Sequence, residues 1–76
     1  MKHALPMALN GRFAAQQAAH GRRFAAAEAF WRKGLAQADA LDWAAAEHSF
    51  ARAVELAPRD VLFWINLANA QRKRGE

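Results

Sequence analysis

The chain has 76 residues, 21 of them alanine, with no cysteine and a formal net charge of +4. A chain of this length forms one small domain, which buries about 60% of its unfolded surface and is marginally stable alone. Because the sequence has no cysteine, disulfides and thiolate metal sites are excluded, and no apolar run approaches the ~20 residues that span a bilayer. The alanine-rich composition, poor in β-branched residues, predicts an all-α fold.

Charged residues are unevenly distributed along the chain. Residues 1–26 contain four basic residues and no acid, residues 27–60 contain four basic and six acidic residues, and residues 61–76 contain three basic residues and one acid. A start rich in arginine and alanine and free of acids is also found in organellar transit peptides, but those are rich in serine, which residues 1–26 lack. The apolar run near the start is too short for a secretory signal, so we expect a cytoplasmic protein.

A flexible arm and two helices are predicted in the first half of the chain. Residues 1–9 show little periodicity and are predicted to form the arm. Asn10 suits the N-cap of a first helix at about 11–20, and Gly21 is predicted to end that helix in a left-handed conformation. A second helix at about 22–39 is predicted from apolar residues at helical spacing: Phe24, Ala27, Trp31, Gly34, Leu35 and Ala38.

Two further helices are predicted in the second half. Asp42 suits the N-cap of a third helix at about 42–57, which Pro58 ends. Asp60 suits the N-cap of a fourth helix at about 60–74. On the predicted faces, small residues let helices approach closely and aromatic residues fill the gaps between them. The small residues are Gly34, Ala46, Ala53 and Ala68, and the aromatic residues are Phe30, Trp31, Phe50 and Trp64.

An internal repeat links the second half of the chain to the segment before it. Residues 27–60 form a unit of 34 residues, and the pattern begins again at Val61, so that a shift of 34 pairs Phe30 with Trp64 and Gly34 with Ala68. A fixed period of this length indicates a stacked helical-repeat architecture. The pattern resembles the tetratricopeptide repeat (TPR), with Phe30, Gly34, Ala46, Phe50, Ala53 and Pro58 on its characteristic positions and Trp64, Leu67 and Ala68 beginning it again.

The resemblance implies a fold and a function class. It implies antiparallel helix-turn-helix hairpins stacked as a short superhelix of about four helices, in a single domain at 10–76. It also implies a non-catalytic protein–protein interaction or assembly module without a cofactor. Three residues depart from the family pattern, because Lys33 stands where leucine is usual, and Gln37 and Gln71 replace an aromatic residue.

In TPR proteins the first helix of each repeat lines a concave face that binds peptides or helices. Carried over to this chain, the resemblance places Glu28, Trp31, Arg32, Leu35, Leu62, Ile65, Asn66, Asn69, Arg72 and Lys73 on that face. Arg32, Asn66 and Asn69 partly match the clamp with which some TPR adaptors hold a terminal carboxylate, and cationic forks and amide donors suit such a ligand. Much of the face is apolar, which favours an apolar peptide or helix groove. Its apolar residues are Trp31, Leu35, Leu62 and Ile65.

Two arrangements of the predicted helices remain open at this point. The helix at 22–39 can be the first helix of a TPR unit with the helix at 42–57, which keeps the 34-residue period into Val61. It can also be the second helix of an earlier, shortened unit with the helix at 11–20. The first arrangement is preferred, because the second needs an irregular junction.

A second function hypothesis is structural. The stretch from Val61 to Ile65 is apolar on every side, whereas the last helix of a repeat stack should turn a polar face outward. An uncovered patch predicts a partner or self-association through Val61, Leu62, Phe63, Trp64 and Ile65. On this hypothesis the chain is an N-terminal repeat segment that acts as a scaffold in a larger TPR-containing enzyme or a secretion or assembly protein.

A third hypothesis is binding to nucleic acid or an acidic surface through basic residues near both ends: Arg12, Arg22, Arg23, Arg72, Lys73 and Arg74. No base-reading helix accompanies this charge, which makes the hypothesis weaker than the other two. Catalytic and metal-binding patterns are absent from the sequence: the three histidines lack ligand spacing, and Ser49 has no nucleophile motif around it. We therefore expect no catalytic residues and no metal ligands.

Overall fold

Three α-helices form the fold of the chain in the computed structural model, which describes the backbone of residues 4–76 and the side chains of residues 18–76. The helices are α1 (Ala4–Asp39), α2 (Trp43–Leu56) and α3 (Val61–Gly75), and no strand occurs in the described backbone. The all-α prediction is confirmed. Within the described residues, no helix is both long enough and apolar enough to cross a membrane.

α1 is one continuous helix of 36 residues. The predicted break at Gly21 is therefore wrong. The predicted N-cap at Asn10 is also wrong, because Asn10 lies inside the helix. The predicted arm at residues 1–9 is wrong for residues 4–9, which are helical, and its residues 1–3 lie outside the described residues. The physical reason is that glycine inside a helix costs only about 1 kcal/mol relative to alanine, and the flanking residues are strong helix formers. No described glycine has a positive φ. Pro6 lies in the first turn, where a missing N–H is tolerated.

The continuity of α1 decides between the two arrangements of helices. Residues 11–20 and 22–39 lie along one helix axis, so they cannot pack against each other as a hairpin. Residues 18–26 are exposed, and Ala27 is the first buried residue of α1 among the described side chains. The earlier, shortened unit is thereby excluded, and α2 packs against the part of α1 that follows this exposed stretch.

The turn between α1 and α2 contains a strained residue. Leu41 has a φ of 62°, the left-handed region that favours glycine, and its side chain is 72% exposed. The Leu41 N–H donates to the Ala38 carbonyl at 2.9 Å, and the Asp42 N–H donates to the Gln37 carbonyl at 2.9 Å. This pair of bonds is the Schellman motif, which satisfies carbonyl groups at the end of a helix.

Aspartates cap the two following helices, as the sequence predicts. Asp42 accepts a hydrogen bond from the Ala45 N–H at 3.2 Å at the start of α2. Asp60 accepts one from the Phe63 N–H at 3.3 Å at the start of α3. Each carboxylate satisfies a backbone donor that has no partner within its helix, which fixes where α2 and α3 begin.

Contacts between the helices define their directions. Gln37 contacts Ser49 and, further back along α1, Phe30 contacts Arg52, so α1 and α2 are antiparallel. The Ser49 hydroxyl donates to Gln37 Oε1 at 2.6 Å, which gives the buried Ser49 a partner. Gln37 therefore makes a polar contact between α1 and α2.

α3 runs beside α1 in the same direction. Phe63 stacks on Phe24 with ring centroids 6.2 Å apart and contacts Trp31 at 5.6 Å. Asn66, one turn further along α3, contacts Trp31 as well. At the other end of α3, Arg74 Nε lies 3.0 Å from Glu47 Oε2 of α2, an ion pair without the alignment of a hydrogen bond.

The core lies where the three helices meet. It consists of Ala27, Ala46, Phe50, Ala53, Val54, Phe63, Leu67 and Ala70. Gly34 allows its closest packing, because a Cβ there would lie 2.5 Å from Cε1 of the Phe50 ring.

Two of the packing predictions for α3 are wrong. Trp64 is 48% exposed and Ala68 is also exposed, whereas Phe63 is only 2% exposed. The reason is that α3 contacts only the α1 and α2 side, and residues on its opposite side meet no helix among the described residues. Trp64 instead donates its indole N–H to the Pro58 carbonyl at 2.6 Å.

Candidate functional site

The first candidate site is the face shared by α1 and α3, which we call the α1–α3 face. Trp31 Nε1 donates a hydrogen bond of 2.7 Å to Asn66 Oδ1, across 35 residues of sequence. Trp31 is half-buried and its ring also contacts Phe63. The two residues are thereby held together, so that Trp31 supports the packing of α3 on α1 as well as lining the face.

The orientation of two asparagine amides follows from their partners. A tryptophan indole and an arginine guanidinium can only donate hydrogen bonds, so the amide oxygen of each asparagine must face its partner. For Asn66 that partner is Trp31, and for Asn69 it is Arg72, whose Nη2 lies 2.6 Å from Asn69 Oδ1. The N–H groups of both amides are consequently turned away from these partners and can donate to a bound molecule.

The remaining predicted residues differ in their accessibility. Leu62 is 49% and Ile65 57% exposed, so both offer apolar surface. Leu35 is half-buried and packs against the core. Two of the predicted cations have carboxylate neighbours close in sequence, Arg32 with Glu28 at 3.7 Å and Lys73 with Glu76, which follows α3, at 3.6 Å. Arg72 is therefore the cation most directly associated with the asparagine pair.

Exposed apolar side chains occur on the first turns of α3. Val61 is 68% exposed, and Leu62, Trp64 and Ile65 are each about half exposed or more. Phe63 is buried, so its assignment to a self-association surface is wrong. The other four residues form the part of that predicted surface that is accessible.

A second candidate site is a groove between α1 and the turn that joins α2 to α3, which we call the α2–α3 turn. Its volume is about 590 Å³, and it is partly open to solvent. Among the described side chains, it is lined by those of residues 20–24 of α1 and of residues 56–60 around the turn. The lining residues are His20, Arg23, Phe24, Leu56, Ala57, Pro58, Arg59 and Asp60.

Sequence reasoning missed this groove for a physical reason. His20, Arg23 and Phe24 share one helix face, since positions three and four apart are neighbours on a helix. They lie near Pro58 and Arg59 because α1 extends on the N-terminal side of the residues that pack against α2. A helix that ended at Gly21, as predicted, would not have placed His20 there.

Catalytic chemistry has little support in the described side chains. Among residues 18–76, no three or more histidine, aspartate or glutamate side chains form a group that could hold a metal ion. Ser49 is buried and donates to Gln37, a contact that accounts for it structurally.

Comparison with known proteins adds no relative to this description. Searches against protein-family models, curated proteins and solved structures found no match for the chain.

Proposed function

We propose that the chain is a TPR-like module for protein–protein interaction or assembly, without catalysis of its own, and that it binds a peptide or helix on the α1–α3 face. The observation that supports this proposal best is the Trp31–Asn66 hydrogen bond. It joins two helices that run in the same direction at residues 35 apart, close to the 34-residue period of the sequence. Adjacent parallel helices separated by one repeat are what stacked hairpins produce.

The chemistry of the α1–α3 face suits a peptide ligand. Asn66 and Asn69 lie three residues apart on one side of α3, and both amide N–H groups are available to backbone or terminal carboxylate oxygens. Arg72 adds a charge-assisted donor beside Asn69. Leu62 and Ile65 offer apolar contact for alternate side chains of the ligand. A face with directional donors and exposed apolar groups resembles the grooves that bind peptides and helices.

The test is selection of ligands from phage-displayed random dodecapeptides on the immobilised full chain, followed by affinity measurement with single variants. Asn69→Ala removes one of the oriented amides and is expected to weaken binding about fivefold or more, the effect of losing a hydrogen bond in a complex. Gln71→Ala is the matched control, because Gln71 is an exposed amide two positions away on a different side of α3. Equal losses in both variants, or no enriched peptide, would contradict the proposal.

A second candidate function is that of a scaffold in a longer repeat stack. The observation that favours it is the exposure of Val61 at 68% and of Trp64 at 48% on the side of α3 away from the core. A further helix or partner covering that side would remove this apolar surface from water. Sedimentation equilibrium of the wild type and of Val61→Glu tests whether the surface associates: a wild type that is monomeric at all concentrations would contradict self-association.

Nucleic-acid binding has less support. Two cations of the cluster at the end of α3 have carboxylate neighbours, Lys73 with Glu76 and Arg74 with Glu47. Cations are also favoured at this position by the helix dipole, without any ligand.

A further inference from the structure

The groove between α1 and the α2–α3 turn is lined by both apolar and basic residues. The apolar residues are Phe24, Leu56, Ala57 and Pro58, and Phe24 remains 43% exposed although its ring stacks on Phe63. His20, Arg23 and Arg59 provide basic groups around it. The groove therefore offers contacts for an apolar group and for negative charge side by side.

Most carboxylates of this chain have ion-pair or capping partners of their own. All seven acidic residues lie at position 28 or later, within the part of the chain whose side chains are described. Four of them form ion pairs with Arg32, Arg52, Lys73 and Arg74, and none of the ion pairs among the described side chains includes Arg23 or Arg59. Asp60, the one acid that lines the groove, accepts the capping hydrogen bond of α3. The charge of the groove is therefore complementary to an acidic molecule.

The form of the groove favours an extended chain over a small molecule. Small-molecule sites enclose about 70–90% or more of the ligand surface, whereas this groove is partly open to solvent. Among the described lining residues the one aromatic side chain on the apolar part is Phe24, whose ring already stacks on Phe63, so less of that ring is free to stack on a nucleobase.

We propose that this groove binds a short acidic segment of a partner protein that carries large apolar side chains. The carboxylates of the segment lie against Arg23 and Arg59, where guanidinium groups form charge-assisted hydrogen bonds. An apolar side chain of the segment lies against Phe24 and Pro58. The groove adjoins the α1–α3 face, because Phe24 stacks on Phe63 and Phe63 contacts Trp31. The polar residues of the two sites differ, so variants can tell them apart.

The test uses fluorescence polarisation with the full chain and three labelled decapeptides at physiological salt. The probe alternates glutamate with leucine and contains one phenylalanine. In the first comparison peptide every glutamate is replaced by glutamine, and in the second every apolar residue is replaced by serine. The proposal predicts that the probe binds and that both comparison peptides bind at least about tenfold more weakly, because charge and apolar burial both contribute.

Matched charge variants locate the site. The double variant Arg23→Gln with Arg59→Gln removes the two groove guanidinium groups and is expected to lower the affinity for the probe about tenfold. The control double variant Arg22→Gln with Lys33→Gln removes the same charge from exposed positions of α1 that do not line the groove. It is expected to change the affinity by less than about threefold, because neither side chain lines the groove and exposed charges without direct contact contribute little. Circular dichroism verifies that both variants keep the helix content of the wild type.

Several results would overturn this proposal. Absence of probe binding would do so, and so would equal losses in the groove and control variants, which would mean non-specific attraction to a basic protein. A probe whose binding is weakened by Asn69→Ala and unaffected by the groove variant would bind the α1–α3 face, which would contradict the groove proposal and leave the proposed function standing. A single-stranded oligonucleotide or anionic lipid vesicles could also bind more tightly than the probe and lose that binding in the groove variant. In that case the tighter ligand, and not an acidic protein segment, would be the occupant of the groove.

Discussion

Gly34 gives the sharpest test of the packing between α1 and α2. A Cβ added at Gly34 would lie 2.5 Å from Cε1, 2.6 Å from Cδ1 and 3.1 Å from Cζ of the Phe50 ring. Phe50 is 2% exposed and belongs to the core, so its ring cannot swing into solvent to relieve the contact. Gly34→Ala therefore forces a shift of α1 relative to α2 or of the ring itself.

Two opposing effects set the magnitude for Gly34→Ala. Overpacking a core typically costs about 1–3 kcal/mol. Alanine gains about 1 kcal/mol over glycine in a helix interior. The net expectation is a loss of about 1 kcal/mol in the free energy of unfolding, which lowers the melting temperature by about 4–8 °C in a domain of this size.

Gly21 supplies the matched control. It lies in the same helix and is exposed, and a Cβ added there would meet nothing within 4 Å. Gly21→Ala therefore keeps the helix-propensity gain and adds no steric contact, so it is expected to stabilise α1 by up to about 1 kcal/mol. Urea and thermal unfolding of both variants, followed by far-UV circular dichroism, measure the difference. The reasoning is refuted if Gly34→Ala is as stabilising as Gly21→Ala, because the Phe50 ring would then not lie against Gly34.

Three further substitutions test the turn and the α1–α3 contact. Leu41→Gly is expected to raise the free energy of unfolding by about 0.5–1 kcal/mol, because it removes a non-glycine residue from the left-handed conformation at some cost in unfolded-state entropy. An unchanged or lower urea midpoint would show that Leu41 is not in that conformation. Trp31→Phe and Asn66→Ala each remove one partner of the Trp31–Asn66 hydrogen bond, and the loss of that bond is expected to cost about 0.5–1.5 kcal/mol of stability. The double variant is expected to lose less than the sum of the two single losses. Full additivity in the double-mutant cycle would mean that the two side chains do not interact.

The features predicted correctly from the sequence are those fixed by local interactions. Asp42 and Asp60 act as caps because a side-chain oxygen and a backbone N–H three residues later meet in any helix start. The core residues Phe50 and Ala53 follow from helical spacing within α2.

The break at Gly21 was predicted from a signal that is local but weak. Glycine ends a helix only when the chain beyond it has a better alternative, and the alanines and arginines around Gly21 have none. The sequence pattern alone does not distinguish a glycine that ends a helix from one that the helix tolerates. The groove was not predicted for the same reason, since its lining includes residues of α1 on both sides of Gly21.

Whether Phe63 or Trp64 is buried depends on which side of α3 packs against the other helices. The repeat pattern pairs Trp64 with Phe30 and so predicts burial, but Phe63 is the residue that faces α1. The spacing of Phe63, Leu67 and Ala70, at four and then three residues, could have identified the buried side of α3.

The most direct test of the proposed function is an NMR titration of the full chain with a peptide selected by phage display. The chain has three tryptophans, whose indole N–H resonances report on three different places. Trp31 lies on the α1–α3 face, whereas Trp43 begins α2 and Trp64 donates to the Pro58 carbonyl on the α2–α3 turn. Binding on the α1–α3 face predicts that the peptide shifts the Trp31 indole signal and the side-chain amide signals of Asn66 and Asn69, and leaves those of Trp43 and Trp64 in place. Shifts confined to Trp64, with Trp31 and both asparagines unchanged, would contradict the proposed function.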